Sequence, residues 1–189
     1  MRRIPIVIFL VLVAGGCASS PPKPVWVPAE GTFTAEKSGY SVVLPSGWTR
    51  VNVEERLMIT RDGSSLQFIG VALYKVGVPL KHTKKKFEKG MLPQEVAGIL
   101  IDDLASAENI ASVDVLENVP VRIGDVEGFR VVCRLRIKGG MDRKCAFYGT
   151  MRDDQVYDLY YNAAARHYFD RDLGAFEEMA RSFRFLPPS

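Results

Sequence analysis

The alternation of side chains between residues 129 and 151 limits the possible folds more than any other feature of this sequence. In FRVVCRLRIKGGMDRKCAFYGTM, apolar and polar residues alternate on both sides of Gly139-Gly140, a pattern typical of a β-hairpin. A three-residue loop at 138–140 predicts that Cys133 lies directly opposite Cys145. The face with the cysteines also carries Val131, Leu135, Ile137 and Phe147. The opposite face carries the cations Arg130, Arg134, Arg136 and Lys138.

Further strands surround this hairpin. The segment QVYDLYYNA continues it after the Arg152-Asp153-Asp154 turn, with Tyr157, Leu159 and Tyr161 expected to point inward. Asp62-Gly63 indicates a second hairpin, whose two-residue turn would set Ile59 opposite Leu66 and Leu57 opposite Phe68. The segments GTFTAE, YSVVLP and NIASVDVLENVPVRIGDVEG predict three more strands.

Only two helices are predicted. Residues 93–107 begin with Pro93 and carry apolar side chains at helical spacing. A second helix is expected from about Arg171 to Phe183, with Asp170 as its N-cap. Together these elements predict an α+β fold, built mainly from antiparallel sheet with flanking helices.

The first seventeen residues have the composition of an export signal. Arg2 and Arg3 precede an apolar run from Ile4 to Ala14, which is too short to span a bilayer. Ala14-Gly15-Gly16-Cys17 resembles a bacterial lipobox, although Ala14 stands where Leu is usual. The resemblance implies cleavage after residue 16 and lipid, including palmitate, on Cys17. Ala18 then implies sorting to the outer membrane facing the periplasm. The alternative is an ordinary signal cleavage beside an incidental cysteine.

The length of the chain indicates one domain. Without residues 1–16, the 189-residue sequence leaves 173 residues, of which 17–30 are rich in Pro and Ser and are expected to form an extended tether. We therefore predict a single domain at 31–189. Its charge is nearly balanced, because loss of Arg2 and Arg3 leaves 23 basic against 22 acidic residues. This balance argues against a nucleic-acid partner.

Three stretches taken in order resemble the PsbP-like family: GYSVVLPSGW, VPVRIGDVEGFRVVCRLRI and FEEMARSFRF. The resemblance covers roughly residues 31–186. The family includes the extrinsic photosystem II subunit and many bacterial lipoproteins. The resemblance implies an α/β/α sandwich with a mainly antiparallel sheet, and an accessory binding or assembly role. It carries over no catalytic residue, and the photosystem role is not transferred because fold does not imply function.

The cysteines admit three interpretations. With Cys17 lipidated, Cys133 and Cys145 form an even pair in an oxidising compartment, and the predicted register favours a disulfide between them. Two buried free thiols are the first alternative. A redox-active site is the second, but the pair lacks C-x-x-C spacing.

Two basic surfaces are candidates for interaction. The run KHTKKKFEKG contains Lys84, Lys85 and Lys86, which would contact anionic lipid or an acidic partner, or simply form a solvated loop. Arg130, Arg134 and Arg136 form the second surface. Neutralisation by Asp158, Glu177 and Glu178 is the alternative for that surface.

No catalytic or metal-binding pattern occurs in the sequence. His82 and His167 stand far apart, and there is no G-x-S-x-G, H-E-x-x-H or phosphate-binding glycine loop. We therefore expect no catalytic residue, cofactor or metal. The sequence favours a lipid-anchored, non-enzymatic envelope module that binds or assembles with a protein partner. The alternative is an envelope enzyme or small-molecule-binding protein whose site is not visible in sequence.

Overall fold

A computed structural model describes residues 25–187, which form two antiparallel sheets and two helices. The elements in chain order are β1 Trp26–Ala29, β2 Thr32–Ala35, β3 Tyr40–Val43, β4 Trp48–Val51, β5 Met58–Thr60, β6 Gln67–Lys75, α1 Pro93–Ala105, β7 Ile110–Ile123, β8 Val126–Ile137, β9 Arg143–Arg152, β10 Gln155–Ala164, α2 Tyr168–Arg181 and β11 Arg184–Phe185. The fold class expected from the sequence is therefore confirmed.

The main sheet has eight strands in the order β1-β4-β5-β6-β10-β9-β8-β7, and the small sheet has the order β11-β3-β2. Strands β7 to β10 form a meander of long antiparallel strands. Cys133 pairs with Cys145 and Val131 with Phe147, so the register predicted for this hairpin is confirmed. The connecting loop is longer than expected, because β8 ends at Ile137 and β9 begins at Arg143.

The two faces of the main sheet carry separate apolar cores. Helix α1 buries Val96, Ala97 and Leu100 against the face that carries the cysteines. Helix α2 and the small sheet cover the other face, where Tyr40 stacks on Phe183 at 5.5 Å between ring centroids. A layer thus lies on each side of the sheet. No helix within residues 25–187 is both long and apolar enough to cross a membrane.

The tether predicted for residues 17–30 overlaps the folded part of the chain. Residues 26–29 form β1, which pairs with β4, and Ala29 is fully buried. Pro28 is tolerated because β1 is an edge strand, where a missing backbone N–H need not cost a ladder hydrogen bond. The folded unit thus begins before residue 31. The predicted signal, Cys17 and tether residues 17–24 lie outside the described residues.

The hairpin at Asp62-Gly63 has a different register from the one predicted. Ile59 pairs with Ile69, not with Leu66, and β6 begins only at Gln67. The carbonyl oxygen of Gly63 accepts the N–H groups of Leu66 and Gln67, which closes a longer loop. This loop shifts the second strand by three residues, and an odd shift moves its side chains to the other face.

Asp170 is not the N-cap of α2. The helix begins three residues earlier than expected, after His167, and Asp170 lies in its first turn. There its carboxylate accepts a hydrogen bond of 3.0 Å from Lys144 Nζ on β9. The hydroxyl of Tyr161 donates to the carbonyl oxygen of Tyr168 at 2.7 Å, which fixes the start of the helix on the sheet. Helix α1 begins at Pro93 as predicted.

Candidate functional site

The cysteine pair lies buried between α1 and the main sheet. Cys133 and Cys145 are joined as a disulfide, with Cα atoms 5.2 Å apart, a separation within the usual range for bridged cysteines. Cys133 has no exposed surface and Cys145 has 2%. A bridge buried in this way has a structural role, and the oxidation state of the pair in the cell stays a prediction.

Arg130 lies between two carboxylates on the α2 side of the sheet. Its guanidinium is 2.7 Å from Glu177 Oε1 on α2 and also pairs with Glu117 on β7. Burial alone would lower the pKa of Arg130, but the hydrogen bonds to Glu117 and Glu177 raise it above its ordinary value. These contacts neutralise Arg130, as the alternative interpretation of the arginine face expected.

Arg134 and Arg136 are exposed, and neither has an ion-pair partner among residues 25–187. Asp158 was expected beside them but lies on the opposite face of the sheet. It aligns with Gly149 on β9, whereas Arg130 aligns with Tyr148. The prediction for Asp158 was wrong because it placed this carboxylate one residue out of phase with the arginines.

The lysine run forms part of the loop between β6 and α1. Lys84, Lys85 and Lys86 are exposed, and Lys85 pairs with Asp102 on α1. Lys84 Nζ donates to the carbonyl oxygen of Lys81 at 2.7 Å. Within the described chain, Lys86 has no ion-pair partner. An interaction of this surface with lipid or protein stays a prediction.

The outer edge of β7 is a candidate binding surface that was not predicted from the sequence. Seven consecutive residues, 114–120, are exposed, and within the described part of the chain β7 pairs only with β8. Val115, Leu116 and Val119 expose 46%, 53% and 37% of their surface. A register shift between Val115 and Glu117 leaves Leu116 as the extra residue of a β-bulge. The sequence signal was VDVLENV, whose valines need not be buried if its strand lies at an edge.

A second missed feature is a cavity of about 260 Å³ between the C-terminal half of α1 and strands β6, β9 and β10. Its walls are aromatic and acidic, and include Phe68, Tyr74, Phe147, Tyr160, Asp103 and Asp158. Gly70 allows the ring of Tyr160 to lie against the sheet, since a Cβ there would approach Tyr160 Cζ to 2.6 Å. The cavity is close to the lower size range of ligand sites, roughly 300 Å³.

The two carboxylates of this cavity have different surroundings. Asp103 Oδ1 accepts hydrogen bonds from the backbone N–H groups of His82 and Thr83, at 2.8 and 2.9 Å. Asp158 is 7% exposed, and its buried Oδ1 has no hydrogen-bond partner among the described residues. Burial raises the pKa of Asp158 to about 7. The signal in the sequence was Asp158 itself, a charged residue in the middle of QVYDLYYNA. Because β10 is an inner strand covered on both faces, a charged side chain there must be buried.

Residues 25–187 contain no group of three or more His, Cys, Asp or Glu side chains arranged to hold a metal ion. His82 borders the aromatic cavity, whereas His167 is exposed at the start of α2. The histidines are therefore on different parts of the molecule.

No family model matches this sequence, and no curated protein matches it. Solved structures do resemble the fold. Cyanobacterial PsbP (CyanoP) from Synechocystis sp. PCC 6803 matches with a TM-score of 0.57 at 13% identity, over 90% of this chain and 99% of that one. The Saccharomyces cerevisiae Ran-binding protein Mog1p matches with the same score and identity, over 85% and 97% of the two chains.

Identities this low show the shared architecture alone. The match to PsbP agrees with the resemblance found in the sequence. The chain therefore has a PsbP/Mog1-like α+β fold.

Proposed function

We propose that this chain is a non-enzymatic, partner-binding module of the bacterial cell envelope, held on the outer membrane by lipid on Cys17. The edge of β7 receives an extended segment of a partner protein. The anchor rests on Ala14-Gly15-Gly16-Cys17 at the end of an apolar run. Ala18 supports transfer to the outer membrane, with the folded unit in the periplasm.

The exposed edge of β7 is the observation that carries this proposal. An edge strand presents unpaired N–H and C=O groups, and an extended peptide can pair with them as an added strand. The opposite edge of the sheet is protected, because β1 has only four residues and contains Pro28. β7 has fourteen residues, although Pro120 and the bulge at Leu116 limit the length over which a partner strand can pair.

The side chains of β7 indicate the chemistry of the partner. Val115, Leu116 and Val119 offer apolar contact, and Asp114 lies beside them, whereas Glu117 already pairs with Arg130. An extended segment with mainly apolar residues complements this surface. A fold neighbour described as a Ran-binding protein supports a protein-binding role for this architecture in general.

A charge placed on the edge tests the proposal. The double variant Val115→Lys/Val119→Lys is expected to lose its partner, because lysines on an edge strand oppose pairing with another strand. Both side chains are well exposed, so the fold should be retained. The matched control is Val43→Lys/Val78→Lys, since both of these valines are 52% exposed away from β7.

The measurement is co-purification of envelope proteins with the lipidated chain, quantified against an anchor-only control. The wild type and the control variant should retain the same partner, and the β7 variant should lose it. Equal retention by the two variants would refute the assignment of β7.

A further inference from the structure

We propose that the cavity between α1 and the main sheet binds a small organic cation, whose ammonium group pairs with the carboxylate of Asp158. This site lies on β6, β9 and β10, apart from the β7 edge, and goes beyond the proposed partner binding. The occupant would be a monovalent alkylammonium compound of a few carbon atoms.

One oxygen of the buried Asp158 carboxylate is left without a hydrogen-bond partner in the described part of the chain. A buried carboxylate normally has hydrogen-bond donors or a cation beside it, because burial without a partner is costly. Asp158 Oδ1 has none among residues 25–187, although the side chain borders a cavity. An ammonium group in the cavity supplies both the missing donor and the missing charge.

Aromatic side chains form much of the wall of the cavity. Phe68 and Tyr160 meet edge to face, with centroids 5.9 Å apart, and Tyr74 lies on the same side of the sheet. Ring faces attract cations, and a desolvated site strengthens that attraction. Aromatic rings around the carboxylates of Asp103 and Asp158 thus favour an organic cation over an anion. The described residues offer no cluster of metal ligands here.

Titratable side chains from several elements line the cavity together with Asp158. Helix α1 contributes Asp103, the loop before α1 contributes His82, and strands β6 and β10 contribute Tyr74 and Tyr160. Two cations approach residues of the cavity wall: Arg143 hydrogen-bonds Asn162, and the charge of Arg56 partly offsets the rise that burial causes in the pKa of Tyr160. The balance at the centre of the cavity is negative when Asp158 is ionised.

Binding should therefore depend on pH. Burial sets the pKa of Asp158 at about 7, so the carboxylate is mostly neutral at pH 5.5 and mostly ionised at pH 8. We expect affinity to increase about thirtyfold between these two pH values, in proportion to the ionised fraction of Asp158.

Calorimetric titration of the purified full chain with n-butylammonium tests the proposal, and butan-1-ol is the control because it replaces the ammonium group with a neutral hydroxyl. Choline and tetramethylammonium complete the set of probes, since they carry the charge without an N–H donor. n-Butylammonium should bind at least about tenfold more tightly than the neutral alcohol. Asp158→Asn should remove that preference and its pH dependence, whereas Asp125→Asn, in an exposed turn, should retain both.

Two results would overturn the proposal. One is the absence of saturable binding by all three cations to the wild-type chain at pH 8, a measurement that needs no variant to fold. The other is n-butylammonium binding of unchanged affinity to folded Asp158→Asn. Neither result bears on β7, because partner binding is measured separately.

Discussion

Cys133 faces Cys145 across β8 and β9, with 5.2 Å between their Cα atoms and both side chains against α1. The two residues are separated by 12 positions, so a disulfide closes a short loop of the unfolded chain. Such a loop is expected to add about 3 kcal/mol to the free energy of unfolding in the chain-entropy model.

We predict that the exported protein contains this bridge. Unfolded but unreduced protein should react with no thiol reagent at Cys133 or Cys145, and both should react after reduction. The variant Cys133→Ala/Cys145→Ala should unfold at lower urea concentration. Full labelling of both cysteines before reduction would contradict the prediction.

Asp172 on α2 should contribute more to stability than Asp170, two residues earlier. Its carboxylate is 2% exposed and lies 3.0 Å from Arg61 Nη1, while Arg171 binds its other oxygen. Asp172→Asn should lower the free energy of unfolding by about 2 kcal/mol, because charge-assisted hydrogen bonds are lost. Asp170 is 69% exposed and pairs only with Lys144 in the described chain, so Asp170→Asn should cost less than about 1 kcal/mol. Equal effects in urea denaturation would contradict this ranking.

Asp158 should make stability fall as the pH rises. Its pKa is raised from 3.8 to about 7 in the folded state, so between these values the folded chain binds a proton that the unfolded chain has released. Stability from this proton is complete below about pH 4 and is lost as the pH passes about 7, a change of about 2 to 4 kcal/mol. Denaturation at pH 5 and pH 8 measures it, and Asp158→Asn should show a smaller difference. If Asp158→Asn and the wild type show the same difference in stability between pH 5 and pH 8, groups other than Asp158 cause the pH dependence.

Two glycine-to-alanine substitutions should have opposite effects. At Gly70 a Cβ would collide with the Tyr160 ring, so Gly70→Ala should destabilise the protein by about 1 to 3 kcal/mol. At Gly98, inside α1, a Cβ meets no atom within 4 Å, and Gly98→Ala should stabilise it by about 0.5 to 1 kcal/mol. Thermal unfolding of both variants checks the contrast. Stabilisation by Gly70→Ala would show that the ring does not lie where the structure has it.

Lipid attachment at Cys17 is open to a direct test. Cells that express the full chain should incorporate labelled palmitate into it, and Cys17→Ala should abolish incorporation and release the protein from the membrane fraction. Cys133→Ala is the control, since it removes a cysteine without touching the anchor. Labelling that persists in Cys17→Ala would exclude this residue as the anchor.

Parts of the fold could be predicted from the sequence because the hairpin of β8 and β9 and the start of α1 have clear local patterns. The register of β8 and β9 and the start of α1 at Pro93 follow from local patterns. The Asp62 hairpin was misread because a turn signal does not reveal how many residues the loop adds. Strand β1 was missed because Pro28 argues against a strand unless the strand is known to lie at an edge.

The candidate sites depend on tertiary structure, so most of their features could not be predicted from the sequence. Asp158 lies in a strand of mixed apolar and polar residues, and only the three-dimensional structure shows that its carboxylate is buried with one oxygen unpaired among residues 25–187. Exposure of Val115 and Val119 depends likewise on the position of β7 at the end of the strand order. Strand order joins segments distant in sequence, so local patterns do not determine it.

The central claim is that β7 receives an extended segment of a partner protein. Site-specific photocrosslinking in the native envelope tests it most directly, with the photoreactive residue placed at Val115 or Val119 of the lipidated chain and at Val78 as control. The account predicts one partner crosslinked from both β7 positions and absent from Val78, and lost from Val115 when Val119→Lys is added. Crosslinks that are absent at β7, or are the same at Val78, would contradict it.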